Sequence, residues 1–181
     1  EVAEAAYNVD QLPKGMEPGL VSTRFYIPTL TFPFGTHVAV VEVDGETGQV
    51  LLKRIVMVND CGRLVNPLLA EGQVHGGAVQ AIGQALYEEH QYDESGTLLT
   101  STLSDYHIPT SADIPWMETD WTVTPAPNPL GSKGVGEAAT IGLTQAIVNA
   151  VEDALSHLGV IISETPLTPE RILSSLQAIR T

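Results

Sequence analysis

The chain has 181 residues, 43% of them hydrophobic, which is enough to bury a core and to form one unit over residues 1–181 with no evident internal boundary. A formal charge of −14 argues against nucleic acid as a partner, because the phosphate backbone would be repelled; its plainest reading is a solvated acidic surface. No run of about 18 apolar residues occurs, so no membrane span is expected.

No signal-peptide pattern opens the chain, and a cytoplasmic location is expected. The first residue is Glu1 rather than Met, which fits a cleaved or truncated product. Cys61 is the only cysteine, so an intrachain disulfide is impossible. An iron–sulfur cluster needs about four thiolates, so none is expected on this chain itself. The five histidines show no metal-ligand spacing, and zinc is not expected. His75, inside a glycine-rich helix, has the strongest claim of the five to a special role.

In chain order, residues 1–18 read as a short helix followed by a loop with Pro13, Gly15 and Pro18. From His37 to Val58 apolar and polar residues alternate, as in a strand, and Asp44-Gly-Glu-Thr-Gly48 interrupts them with turn chemistry, giving a hairpin. A helix is predicted over Leu68–Glu89, with Val74, Ala78, Ala81, Ala85 and Leu86 along one side. It contains Gly72, Gly76, Gly77 and Gly83, and each interior glycine costs roughly 1 kcal/mol relative to alanine. Close approach of another helix or of a bulky ligand is the expected compensation.

A second hairpin is predicted around Asp93-Glu-Ser-Gly96, with strands near 89–92 and 97–101, and residues 117–124 read as a further strand. Pro125-Ala-Pro-Asn-Pro129 then forces an extended loop. A strong helix follows from Ala138 to His157, its apolar surface assigned to Ile141, Ala146, Val148, Val151, Ala154, Leu155 and Leu158. Thr168-Pro169-Glu170 reads as an N-cap, a first-turn proline and an early acid, opening a last helix to about Ile179. With no repeats and no low-complexity tracts, the pattern is mixed α+β: sheet hairpins with packed helices.

Two segments carry chemistry. Gly131-Ser-Lys-Gly-Val-Gly-Glu-Ala138 is a glycine-rich loop that delivers one carboxylate, Glu137, to a helix start, where free N–H groups favour an anion. Glu137 is thus a candidate general base, set against the plainer role of complementing the helix dipole. Gln73, at the crowded end of the glycine-rich helix, has an amide that donates and accepts hydrogen bonds at once. Gly134-Val-Gly-Glu-Ala-Ala139 also satisfies the dinucleotide fingerprint G-x-G-x-x-A, but a loop rather than a strand precedes it, and Glu152 and Asp153 fall inside the same helix; a nicotinamide site is not expected. A structural or interaction domain whose glycines serve helix packing alone is the non-catalytic alternative.

Together the segments resemble the molybdenum hydroxylase family, which includes xanthine dehydrogenase, aldehyde oxidoreductase and aerobic carbon monoxide dehydrogenase. The resemblance rests on Asp60-Cys-Gly-Arg…Asn66-Pro67, Glu71-Gly-Gln-Val-His-Gly-Gly77, Gln84-Ala-Leu-Tyr-Glu-Glu89 and Lys133-Gly-Val-Gly-Glu-Ala138, supported by Phe32-Pro-Phe-Gly-Thr-His37 and Pro166-Leu-Thr-Pro-Glu-Arg171. It covers nearly the whole chain, is closest to the carbon monoxide dehydrogenase-like branch, and corresponds to the C-terminal part of the large, molybdopterin-binding subunit.

The resemblance implies a molybdenum–pterin cofactor (molybdopterin or its cytosine dinucleotide), with Glu137 as catalytic base. Gln73 and the backbone N–H groups of Gly134, Val135 and Gly136 would face that cofactor. It further implies iron–sulfur clusters and FAD on partner chains or domains, the remainder of the large subunit, an iron–sulfur subunit and a flavin subunit as partners, and a dimer of the whole complex. Copper belongs to the carbon monoxide-oxidising variant of the family. The chain alone is expected to be inactive and to retain cofactor poorly.

Overall fold

A computed structural model describes residues 1–180; the side chain of Arg180 lies outside the description. A short helix α1 (Val2–Tyr7) and a turn at Val9–Gln11 precede an extended segment that leads to strand β1 (Phe34–Val43). Strand β2 (Val50–Asp60), helix α2 (Pro67–Leu86), strand β3 (Met117–Trp121), helix α3 (Ala138–Leu155) with a tight turn at Ser156–Leu158, and helix α4 (Pro169–Arg180) complete the order. The expected α+β architecture is what the structure shows.

The sheet runs β1-β2-β3, antiparallel between β1 and β2 and parallel between β2 and β3. Asp44 closes the first hairpin: its Oδ1 accepts the N–H groups of Glu46 and Thr47 at 2.8 and 3.2 Å. A register shift between Val40 and Val41 keeps both halves of the hairpin in phase. With Lys53 left out of the pairing, Leu52, Ile55 and Met57 all face inward, while Val38 and Val40 stay about half exposed on the opposite face.

The inward face is covered by α2 and α3, and the core lies between them. Val74, Ala78, Ala81, Ala85 and Leu86 are all buried, as the helical spacing predicts. At Gly77 a Cβ would meet Thr140 Oγ1 at 3.1 Å and Ala139 Cβ at 3.3 Å, so this glycine permits the close α2–α3 crossing. At Gly83 the neighbours are Glu88 and Pro109. Gly72 and Gly76, in contrast, have nothing within 4 Å of a Cβ, so helix packing explains Gly77, the segments after α2 explain Gly83, and nothing within this chain explains the other two.

Three predicted details are corrected. The strands near 89–92 and 97–101 do not form; a single bridge joins Tyr92 and Leu98. Asp93 does build the turn, its Oδ1 accepting the N–H groups of Ser95 and Thr97, but the flanking residues are largely exposed and bury no apolar row that would extend the pairing. In α3 the buried row is Ala139, Leu143, Ile147, Val148, Val151 and Leu155, whereas Ile141 is 76% exposed and Leu158 41%. That helix is apolar on several sides, and packing against both α2 and β1 selects the 143-147-151-155 row. Strand β3 also ends at Trp121 rather than 124, because Thr124 turns away to serve a buried carboxylate.

Candidate functional site

Strands β2 and β3 run in the same direction, so their C-terminal ends lie side by side, and the segments that leave them meet there. Asp60, the last residue of β2, is 2% exposed. Its carboxylate accepts the Gly62 N–H at 2.8 Å, the Thr124 N–H at 3.1 Å and the Thr124 hydroxyl at 2.5 Å. Lys133 Nζ stands 3.1 Å from Asp60 Oδ1, and the two side chains are only 5% and 3% exposed. The ammonium also donates to Thr124 Oγ1 and lies 4.8 Å from the centroid of the Phe34 ring. Burial pushes the Asp60 carboxyl up, but the bonds from the Thr124 hydroxyl, the Gly62 and Thr124 amides and Lys133 outweigh it and hold the group well below the usual carboxylate range.

Backbone contacts close the same corner. Gly62 has φ +65°, and a Cβ there would stand 2.3 Å from Gly131 O, so only glycine fits. Arg63 N–H donates to Gly131 O at 2.8 Å, Lys133 N–H to Cys61 O at 2.7 Å, and the Ser132 hydroxyl to Arg63 O at 2.9 Å. Asn128 braces the loop from inside: Nδ2 donates to Ser132 O at 2.8 Å while Oδ1 accepts the Leu130 N–H at 3.1 Å. Cys61 is buried and free, and burial pushes its thiol up, as suits an inert packing residue.

The glycine loop emerges from this clamp. Gly134, Val135 and Gly136 make no backbone hydrogen bond through their N–H groups to any described residue. A Cβ at Gly134 would meet nothing within 4 Å, and at Gly136 its nearest neighbour would be Gln73 Nε2 at 3.6 Å. Gln73 of α2 therefore sits against the loop one residue before Glu137. Glu137 is the N-cap residue of α3, exposed, with no side-chain capping bond.

A cavity of about 290 Å³ opens beside them, lined by Arg63, Leu64, Asn66, Gln73, Lys133 and Val135 among others. Helix α2 starts at its rim, where Asn66 Oδ1 accepts the Leu69 N–H at 3.2 Å and Pro67 takes the first turn. Of the five predicted site residues, Gln73 and Val135 line this cavity; Gly134, Gly136 and Glu137 belong to the same loop and the start of α3 but do not line it. His75 falls outside it: its Nε2 lies 3.0 Å from Thr119 Oγ1, a bond that ties α2 to β3.

The sequence reading missed Asp60, Thr124 and Gly62 as builders of the corner. Lys133, between glycines in a chain with eight Lys and Arg residues against 22 Asp and Glu, was the available signal.

A cofactor cradle needs free donors, steric room above the backbone and a polar side chain to orient the ligand. The open Gly134, the three unpaired N–H groups and the Gln73 amide supply these, so the residues present fit a bulky, acceptor-rich group. The class to which such a surface points is an organic-cofactor-binding domain. Residues 1–115 match the molybdopterin cofactor-binding domain family, and the chain belongs to that family, within the molybdenum hydroxylases.

The chain is 40% identical, over 98% of its length, to the carbon monoxide dehydrogenase large chain of Hydrogenophaga pseudoflava. Among solved structures it resembles quinoline 2-oxidoreductase from Pseudomonas putida 86, with a TM-score of 0.89, 46% identity and 96% of the chain covered. It also resembles the reconstituted CO dehydrogenase from Oligotropha carboxidovorans, with a TM-score of 0.90, 37% identity and 99% covered. The chain spans 22% of the length of each of these relatives.

Proposed function

We propose that this chain is the C-terminal part of the large subunit of a molybdenum-dependent oxidoreductase of the hydroxylase or CO dehydrogenase type. The observation that carries the reading is the juxtaposition of the Gln73 amide with Gly136, one residue before Glu137, beside a loop whose N–H groups are free. When bound, the molybdenum–pterin group supplies the two-electron oxidation of a carbon centre, with water as the source of oxygen. That centre belongs to CO, a purine, an aldehyde or an N-heterocycle.

The protein's part is orientation and proton movement. The Gln73 Nε2 would donate to an acceptor on the cofactor, leaving its Oε1 to accept. The N–H groups of Gly134, Val135 and Gly136, which donate no backbone bond, would hold further acceptors of the same group. Glu137 receives a proton on a carboxylate oxygen as the oxygen donor becomes nucleophilic. The packing-only alternative is supported by Gly77, but it leaves Gly72, Gly76 and Gly134 with no neighbour to pack against.

Electrons leave to iron–sulfur and flavin partners, in a dimer of the whole complex. Elemental mass spectrometry of the gently isolated assembly is the test, with about one molybdenum expected per copy of this chain. Glu137→Gln is then expected to lower turnover by about 10²–10⁴-fold, the range for removing a general base, with molybdenum retained. An intact assembly without molybdenum, or full turnover in the variant, overturns the reading.

A further inference from the structure

Lys133 directly precedes the three residues whose N–H groups are free, and a lysine in a glycine-rich loop invites the role of a ligand for an anion. The geometry says otherwise. Its side chain is only 5% exposed, and its ammonium is taken up by Asp60, by Thr124 Oγ1 and by the face of the Phe34 ring. Asp60 in turn has its acceptor sites occupied by Gly62, Thr124 and Lys133. The cluster is thus a closed unit, and it joins three separate pieces of chain: the end of β2, the segment after β3, and the glycine loop.

Its position in the loop gives it a purpose. Residues 128–133 are held at Asn128, Gly131, Ser132 and the Lys133 N–H, whereas the N–H groups of Gly134 to Gly136 donate no such bonds and only the Val135 carbonyl accepts one, from the Ala138 N–H at 3.3 Å. Lys133 is the last anchored residue before Glu137, and the anchor holds it at two points, through its N–H to Cys61 O and through its ammonium to Asp60.

We propose that the buried Asp60–Lys133–Thr124 cluster is a positioning group: it fixes where the Gly134–Glu137 segment leaves the clamp, and so sets the placement of the Glu137 carboxylate against Gln73. The proposal rests on the reading of Glu137 and Gln73 as site residues. A buried ion pair is poor evidence for stability in itself, because a well-packed apolar pair can replace it at little cost, whereas loss of one partner leaves an uncompensated charge. The two-residue variant Asp60→Asn with Lys133→Met is therefore the informative one, and Lys133→Arg, which keeps the charge, is its conservative partner.

The experiment uses the complete large subunit in its assembly. Hydrogen–deuterium exchange of the Gly134, Val135 and Gly136 amides is measured beside kcat per bound molybdenum and KM. In the double variant, exchange is expected to speed up about tenfold, and kcat per molybdenum to fall about 10–100-fold with KM unchanged, the size of effect seen when a supporting partner of a site residue is lost. Lys133→Arg is expected to restore most of both. Should the double variant fail to assemble, Thr124→Val, which removes one hydroxyl and no charge, gives the same ordering in milder form. A folded variant with exchange and kcat per molybdenum both unchanged overturns the positioning role. Absence of molybdenum from the unmodified assembly overturns the functional reading instead, while the exchange rates still decide the anchoring.

Discussion

Asp60 shows how one buried carboxylate can be kept ionised by its surroundings. Its folded-state pKa lies below the value of about 3.9 that an aspartate has in an unfolded chain. The stability it contributes is therefore fully present above about pH 4 and is lost as pH falls through the folded value. Denaturant midpoints measured between about pH 5 and 2 are expected to fall steeply in the parent chain and less steeply in Asp60→Asn. Lys133→Met alone leaves Asp60 buried without its counter-ion, and about 3–5 kcal/mol of destabilisation is expected in denaturant titrations at neutral pH. Glu137 and Gln73 were legible as candidates because glycine loops and helix starts announce themselves locally. Asp60 was not, because its hydroxyl partner Thr124 is 64 residues away and nothing in the local pattern couples them.

At the scale of elements, the glycines divide by what surrounds them. Gly142 of α3 lies against the imidazole of His37, and a Cβ there would stand 2.3 Å from Nδ1. That ring is fixed by a 3.1 Å contact between its Nε2 and the buried Asn59 Oδ1, so it cannot swing aside without losing a partner. Gly142→Ala is expected to cost about 1–3 kcal/mol by overpacking, and much less in a His37→Ala background, as a double-mutant cycle in thermal melts would show.

Gly72→Ala and Gly76→Ala face open space and are expected to raise the stability of the isolated chain by up to about 1 kcal/mol each. If a ligand or another part of the assembly occupies that space, the same substitutions lower cofactor content or assembly yield, which elemental analysis and size-exclusion chromatography would register. The hairpin and the two long helices were readable from period alone. The absent hairpin at 89–101 and the phase of α3 were not: a good turn does not make strands without an apolar face to bury, and a helix apolar on several sides takes its orientation from its neighbours.

Over the whole molecule, the uncovered surface is concentrated in the segment before β1. Phe25 is 96% exposed, Ile27 91%, Val21 90% and Leu30 84%, an apolar display that soluble single-domain proteins rarely keep uncovered. With the chain spanning 22% of the relatives' length, the isolated polypeptide is expected to bind an apolar dye strongly and to self-associate as its concentration rises. The same segment in the assembly is expected to do neither, and fluorescence with sedimentation measurements would separate the two cases. Overall fold class followed from the order of strand and helix periods. How much of this surface needs covering was invisible in composition, because 43% hydrophobic content does not say which residues find neighbours.

The parallel pairing of β2 with β3 has a temporal consequence. A hairpin such as β1–β2 can close early, since its strands are joined by a short turn, but the contacts between Asp60 and Thr124 and between Arg63 and Ser132 close loops of 64 and 69 residues. Long loops give up more chain entropy before any contact rewards them, and such contacts form late. The β1–β2 hairpin therefore matures before the corner from which the glycine loop emerges, and before the α2–α3 contact, whose Thr140–Gly77 bond closes a loop of 63 residues. On the proposed reading, a cofactor offered too soon would meet a hairpin with no seat for it yet.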